Sequence, residues 1–552
     1  MGGFFCDCQC RIKSYLYRNK YSQTTLIFMK MRRIFTLFFA AMLAGHAWAY
    51  DFKSGDLFFN ITSDTTPYTV EVVAPKSTFP IYEGYIKPKG DLVIPAEVTN
   101  DGKTYSVTNI GYNAFSDCDS LTSVSIPNSV TDIYDFAFEK CTSLTSIEIP
   151  NSVTTIKEGV FSGCSSLTTV ILPNTLKCIS EYMFYGCSSL KSIVIPDSVL
   201  WINESAFEDC ASLTSVTIPN SVNHFGNMVF AGCHSLTSVV IPNSLSYIAD
   251  GAFSGCSGLT SVEIANSVKS IGLSAFNGCS SLTSIDIPNS VTYIGDGAFS
   301  GCIGLTSIAI PDSVWYVGST FADCSSLKFN EYDNGYYIGN KRNPYLCLIK
   351  VKSTDITSFN INSSCRIISD AFAGCSSLTS VTIPNSVITI GNYAFNNCSK
   401  LTSIDIPNSV TSIGAGAFQN CSGLSTIVIP SSVSLIDAMA FSSCSNLTIY
   451  LETSEREFGR YNYWNPDNRP VVWNYKPTAV TESAANTVNI YAQGNTIVVE
   501  NATEEIFVYN VMGVLVGRDA ARHVSTGAAI TINTSGVYIV KTGTTVKRVI
   551  VN

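Results

Sequence analysis

Fourteen cysteines stand in one recurring phrase, most of them 23 residues apart: Cys118, Cys141, Cys164, Cys187, Cys210, Cys233, Cys256, Cys279, Cys302, Cys324, Cys375, Cys398, Cys421 and Cys444. Around each, the chain reads approximately Ala-Phe-x-x-Cys-x-x-Leu-Thr-Ser-Ile-x-Ile-Pro-Asn-Ser-Val-x-x-Ile. A period of this length belongs to a solenoid, in which each unit buries its apolar face only against its neighbours. Such an object grows in one dimension, so 552 residues do not have to divide into several compact domains.

Within a unit such as Leu121–Ile133, Leu121, Val124 and Ile126 alternate with polar residues, which predicts a strand with one buried face. Pro127 has no N–H for a ladder and ends the strand, and Asn128-Ser129 supply a turn. Val130 and Ile133 return to the core on a second extended stretch, Phe138 fills the interior and Cys141 closes the unit. Stacking puts equivalent strands about 4.8 Å apart in a parallel sheet, so fourteen units span on the order of 65–70 Å. Phe138, Phe161 and Phe253, with Cys141, Cys164 and Cys256, are the expected core, each buried Phe contributing roughly 1.5–3 kcal/mol.

These positions match the leucine-rich repeat variant Leu-x-x-Leu-x-Leu-Pro-x-x-Leu-x-x-Ile-x-x-x-Ala-Phe-x-x-Cys. Over about residues 91–451 the chain resembles the BspA-like family of bacterial surface leucine-rich repeat proteins. The resemblance implies a curved solenoid, surface-bound or secreted. It also implies adhesion: binding to host or neighbouring-cell surface and matrix proteins, with no catalytic residues to carry over.

Two successive departures interrupt the register. The unit ending at Cys324 is one residue short, with Gly318-Ser319-Thr320-Phe321 in place of Gly-x-x-Ala-Phe, and Cys324 to Cys375 spans 51 residues, two periods plus five. The stretch 325–374 holds Tyr332, Tyr336, Tyr337, Lys341, Arg342 and Tyr345 around Asn334-Gly335, a hairpin signal. A protruding hairpin or bulge with exposed Tyr, Lys and Arg is expected. It is either an insertion tolerated at the convex or edge side or a specificity loop, since aromatic and Arg side chains dominate binding hot spots.

Many cysteines in an exported chain invite a disulfide reading, and stacked Cα atoms about 5 Å apart fall within bridging range. Equivalent side chains in a stack point the same way, however, and do not select pairs. The repeat cysteines are therefore read as small core hydrophobes. Cys178, Cys347 and Cys365 lie off the repeat position, and Cys347–Cys365 is the pair worth testing for a bridge.

The flanks add targeting and capping segments. Residues 31–49, a basic start, an apolar run and Ala47-Trp48-Ala49, read as a secretory signal peptide cleaved after Ala49, too short for a comfortable membrane span. Met29 or Met31 is the sensible initiator, which leaves residues 1–30 as a mis-called upstream extension; its Cys6-x-Cys8-x-Cys10 run has no second ligand pair with zinc spacing. Residues 50–110 predict an N-terminal cap, 111–451 the solenoid, 452–475 with Trp464 and Trp473 a C-terminal cap, and 476–486 a linker. Residues 487–552 hold seven short strands, a small β-sandwich. The phrases 506–513, 536–540 and 547–551 resemble the C-terminal sorting domain of type IX secretion substrates. That resemblance implies engagement of the type IX secretion machinery, then release or attachment at the surface; an ordinary sandwich module is the alternative.

Function is read as binding. Charged residues are 14% of the chain with net charge −9 and no basic cluster, which argues against nucleic acid as a partner. His46, His224, His234 and His523 form no catalytic set, and no cofactor or metal site is expected. Glu148, Glu263, Asp286 and Asp405 occupy the solvent-facing fifth strand position, with Glu263 and Asp286 on consecutive units and hence candidates for partner contact. Leu172, Val194, Val240 and Val428 are read as apolar variants of that face. A passive envelope spacer and a glycan-binding lattice of Thr and Ser hydroxyls are the competing classes.

Overall fold

The computed structural model describes residues 50–454, 463–475 and the strands with adjoining turns between 489 and 551. The signal segment, the Cys6–Cys10 run and the linker 476–486 lie outside the described residues. Among those described, every regular element is a strand, and no helix is long and apolar enough to cross a membrane.

The expected solenoid is present, and its units build two columns of parallel strands. A long-strand column runs through Leu121–Ser125, Ser146–Glu148 and Thr169–Ile171, and resumes through Ser192–Val194, Ser215–Thr217, Ser238–Ile241 and Ser261–Ile264. The register advances one period per strand, Ser238 opposite Ser261 and Val240 opposite Glu263. A column of two-residue strands (Asp132–Ile133, Thr155–Ile156 and their equivalents) forms the second side. Tight turns holding Ala-Phe and Cys form the third. Their amides bond from turn to turn, Phe115 N to Ala137 O at 2.7 Å and Phe138 N to Val160 O at 2.9 Å.

The repeated side chains reinforce this stacking. Phe115 to Phe299 stack face to face, with centroids such as 5.1 Å for Phe115–Phe138 and 5.5 Å for Phe276–Phe299. Each repeat cysteine is a free, buried thiol, and Cys141, Cys164 and Cys187 donate Sγ–H to the carbonyls of Phe115, Phe138 and Phe161 at 3.2, 3.1 and 3.2 Å. Cys347 and Cys365 are likewise free and buried. The residue before the cysteine has a positive φ in every unit. Gly163 (73°) and Gly255 (75°) take it without cost, and Asp117 (60°), Asn397 (62°) and Ser443 (60°) take it where Gly is missing.

Both ends are closed. Strands Phe52–Ser54, Leu57–Ser63 and Thr69–Val73 form an antiparallel cap whose last strand pairs in parallel with Lys103–Ile110, and the short-strand column starts there. At the other end Trp464 meets Phe441 edge-on at 6.1 Å, and Val471–Val472 adds to Thr448–Leu451. The C-terminal region folds as two antiparallel sheets. Asn489–Gln493, Thr496–Glu500 and Ala528–Thr531 form one, and Leu515–Asp519, Ile506–Asn510, Gly536–Thr542 and Thr545–Val551 the other.

The insertion differs from expectation. It does not protrude as a free hairpin: Asn330–Tyr332 pairs with Gly335–Ile338 and that strand with Cys347–Val351, which then leads the short-strand column onward through Ile367–Ile368. The turn is the pair Asp333–Asn334, since Tyr332 lies opposite Gly335, rather than Asn334-Gly335. Among the described residues the Phe column stops at Phe321, 6.0 Å from Phe299, and resumes at Phe372. Phe359 meets Phe372 edge-on at 5.1 Å in the gap, and Tyr337 is buried beside it in the same core. Tyr337 and Phe359 of the insertion plug the core, while its outer strand and turn, 330–334, stay exposed.

Candidate functional site

The first candidate surface is the outer side of the long-strand column. Alternation points the third and fifth residues of each strand away from the core. The fifth position runs Glu148, Ile171, Val194, Thr217, Val240, Glu263, Asp286 along successive turns. Ile171, Val194 and Val240 are 53%, 81% and 56% exposed, so four turns present an apolar strip interrupted by Thr217 alone. Acids border it at both ends: Glu148 on one side, Glu263 and Asp286 on the other, all exposed. Beside Val240 and Glu263 a shallow groove is lined by Thr217, Asn220, Asn243 and Asn266. An apolar centre with a charged margin is how partner-binding patches are built. Two expected members move. Leu172 is buried and Ile171 holds the exposed position, because that unit reads Val170-Ile171-Leu172-Pro173; Val428 is buried as well.

The threonine row on this face already has a structural use. Thr168, Thr214, Thr237 and Thr260 donate Oγ1–H to the carbonyl of the residue one turn earlier, at 3.0, 3.2, 3.3 and 3.0 Å. The serine of Asn-Ser-Val also donates to a carbonyl of the preceding turn at the corner, as in Ser290 to Val268 O at 2.7 Å. The threonine and corner-serine protons are therefore committed to the stack, while the third-position serines Ser146, Ser215, Ser238 and Ser261 stay exposed on this face.

The second candidate surface is the insertion. Tyr337, expected among the exposed residues, is wholly buried, and its hydroxyl accepts the Asn362 amide at 3.2 Å. Strand alternation turns it inward where the Phe column is missing, while Tyr336 faces outward. Tyr332, Tyr337 and Tyr345 pack edge to face, at 6.3 Å (Tyr332–Tyr337) and 5.6 Å (Tyr337–Tyr345), so Tyr345 is half-buried support. Tyr332, Lys341 and Arg342 remain exposed. Sequence reasoning missed Lys350 and Lys352, whose ammonium groups lie 5.5 and 5.6 Å from the Tyr336 ring, with Lys352 also bonded to Glu331 at 2.7 Å. Their only signal was the alternation running through 347–352. Glu263 and Asp286 belong to the long-strand column and the insertion to the short-strand column, so the structure does not unite them in one site.

A third cluster lies on the turn side. Asp135, Glu158, Glu181 and Glu204 occupy equivalent positions, and Asp135 accepts the Glu158 amide at 3.0 Å, as Asp250 accepts that of Leu273 at 2.7 Å. These acids tie turn to turn. Nearby, burial above all, with the charges of Asp209 and Glu204 adding, pushes the Glu208 carboxyl up to about 7 against a hydrogen bond from Ser205. Among the described residues no group of three or more His, Cys, Asp or Glu has metal-binding geometry.

The repeat geometry agrees with a family model. A BspA type leucine rich repeat region of six copies matches residues 103–214, 201–328 and 351–468, more than half of the chain and leaving out only the inserted hairpin between its segments. The chain belongs to the BspA-type leucine-rich repeat family. Among solved structures, it is 34% identical to a leucine-rich repeat protein from Bacteroides ovatus, covering 77% of this chain and 100% of that one, with a TM-score of 0.49. A leucine rich cell surface protein from Faecalibacterium prausnitzii is 28% identical over 74% of this chain and 96% of its own, with a TM-score of 0.29. The pneumococcal vaccine antigen PcpA is 16% identical over 75% and 90%, with a TM-score of 0.23. No curated protein matches the chain. BspA-type solenoids are repeat scaffolds, and this one carries its variation on the outward positions.

Proposed function

We propose that this chain is an exported bacterial surface protein that binds a host or neighbouring-cell surface or matrix protein through its long-strand face. The observation that carries the reading is the strip Ile171–Val194–Val240 bordered by Glu148, Glu263 and Asp286: apolar side chains left in water on a repeat that elsewhere places mostly acids and hydroxyls there. The partner it fits has an apolar stripe with basic residues at its margins. Exposed Tyr332, Lys341 and Arg342 of the insertion offer separate contacts on the other column. Membership of the BspA-type repeat family supports a surface location.

The test is a binding screen of the full chain against matrix, serum and bacterial surface proteins, with Val194→Asp and Val240→Asp as probes. Saturable binding is expected, weakened at least tenfold by either change with stability within about 0.5 kcal/mol of the parent, since both sites are exposed. Binding indifferent to both variants would remove the face, and no ligand at all would leave a spacer.

Export is the second part. We infer cleavage after Ala49 and routing by residues 487–552 through type IX secretion, on the signal-like segment 31–49 and the sorting-domain phrases in the sandwich. N-terminal sequencing of the exported protein should begin at Tyr50, and deletion of 487–552 should hold it inside the outer membrane.

A further inference from the structure

The four-stranded sheet of the C-terminal sandwich has two apolar faces. One face, Val508, Tyr538, Val540, Val549 and Val551, makes the sandwich core with Ile490, Ile497 and Val499. Alternation puts Val537 and Ile539 on the opposite face, where a sheet of this kind ordinarily meets water. They are only 7% and 9% exposed. Something covers them.

The solenoid supplies a matching surface. At its last turns the outward fifth position changes character: Thr382 and Asp405 give way to Val428, Tyr450 and Val472, in register along the column. Val428 and Tyr450 form one buried cluster with Val511 and Val537 of the sandwich, and Val472 and Tyr475 pack against it. Arg548, opposite Ile539 in the sandwich sheet, pairs with Asp405, one turn before Val428.

We propose that the C-terminal sandwich is a docked lid on the solenoid. Residues 506–551 seat Val511 and Val537 on the Val428–Tyr450–Val472 ladder, and the Arg548–Asp405 pair fixes their register. The lid takes the last turns of the long-strand face out of use and leaves the Ile171–Val240 strip open. Both halves of the contact are written in the sequence as apolar residues at outward-facing positions, and neither half is needed by its own domain. The lid is independent of the identity of any partner.

The test uses the full chain with benzoylphenylalanine in place of Tyr450, irradiated at dilute concentration. Crosslinks within one chain to peptides from 506–551 are expected. Arg548→Asp should lower their yield several-fold, and the exchange Asp405→Arg with Arg548→Asp should restore it. Small-angle scattering supplies a readout free of the probe. Val428→Asp places at that position the residue that Asp405 and Asp286 already place there in other units, so the solenoid tolerates it, and its particle should be longer than the parent's. Crosslinks only between chains would make the occupant a second copy, and crosslinks that avoid 506–551, or scattering identical for Val428→Asp and parent, would overturn the lid.

Discussion

A few side chains work against the repeat they sit in. Glu208 is held near pH 7 by burial, so the folded chain binds its proton more tightly than the unfolded chain, whose carboxyl has an ordinary value of 4.5. A raised carboxyl pKa makes the native state lose stability as pH rises from about 4.5 to about 7. Glu208→Gln lacks that loss. Denaturant titrations should show the variant matching the parent at pH 4 and exceeding it by on the order of 2–3 kcal/mol at pH 8. Ser443 carries a smaller burden, a left-handed backbone (φ 60°) at the position that Gly fills in seven units, among them Gly163, Gly255 and Gly374. Ser443→Gly should raise stability by up to about 1 kcal/mol in the same assay. The left-handed position was visible in the sequence as a Gly/Asp/Asn alternation before each cysteine, but nothing local marked the burial of Glu208. That arises from neighbours a full turn away.

Among the elements, the Phe column carries much of the packing, and it is local in its reach. Phe253 stacks on Phe230 at 5.7 Å and Phe276 at 5.4 Å, fully buried. Phe253→Ala should cost about 3–5 kcal/mol. Because units contact only neighbours, the loss should appear as protease cleavage and fast hydrogen exchange within 230–276, with turns beyond Phe372 unaffected. The repeat elements were legible because buried positions, Pro and turn residues recur together, and the sandwich strands were legible by alternation. The insertion was not, since its Tyr and Lys residues have the composition of a surface loop. What decides its fate is the missing Phe between Phe321 and Phe372, a vacancy created by length and not by local pattern. Side chains then bridge the turns on either side: Asn392 reaches Asp296 at 2.8 Å, Thr389 reaches the Trp315 carbonyl at 2.7 Å, and Arg366 that of Asp312 at 2.7 Å.

At the scale of the molecule, the solenoid is a ruler with one irregular stretch, from 303 to 374. Removing one whole period, such as 238–260, rejoins equivalent positions and should leave a cooperative fold one turn shorter, read by circular dichroism and scattering. Removing 238–259 shifts every strand behind it by one residue, exchanges core and solvent faces at the seam and should abolish cooperative unfolding there. Glu263 and Asp286 were legible as outward acids, but the apolar strip they border became a surface only when the turns were stacked. Position within a unit is a property of sequence; adjacency between units is a property of the stack.

The thiol column sets a timetable. In the finished stack each repeat cysteine is buried and most, Cys256 and Cys398 among them, are turned to a carbonyl; burial pushes these two thiols up to about 12, so neither oxidant nor thiolate is at hand. Before the turns close, the same thiols are interchangeable and reactive, and an oxidising compartment would join them in arbitrary pairs. The chain is thus safe from oxidation only by folding faster than it is oxidised, and each turn that closes protects its own sulfur and leaves the next one waiting.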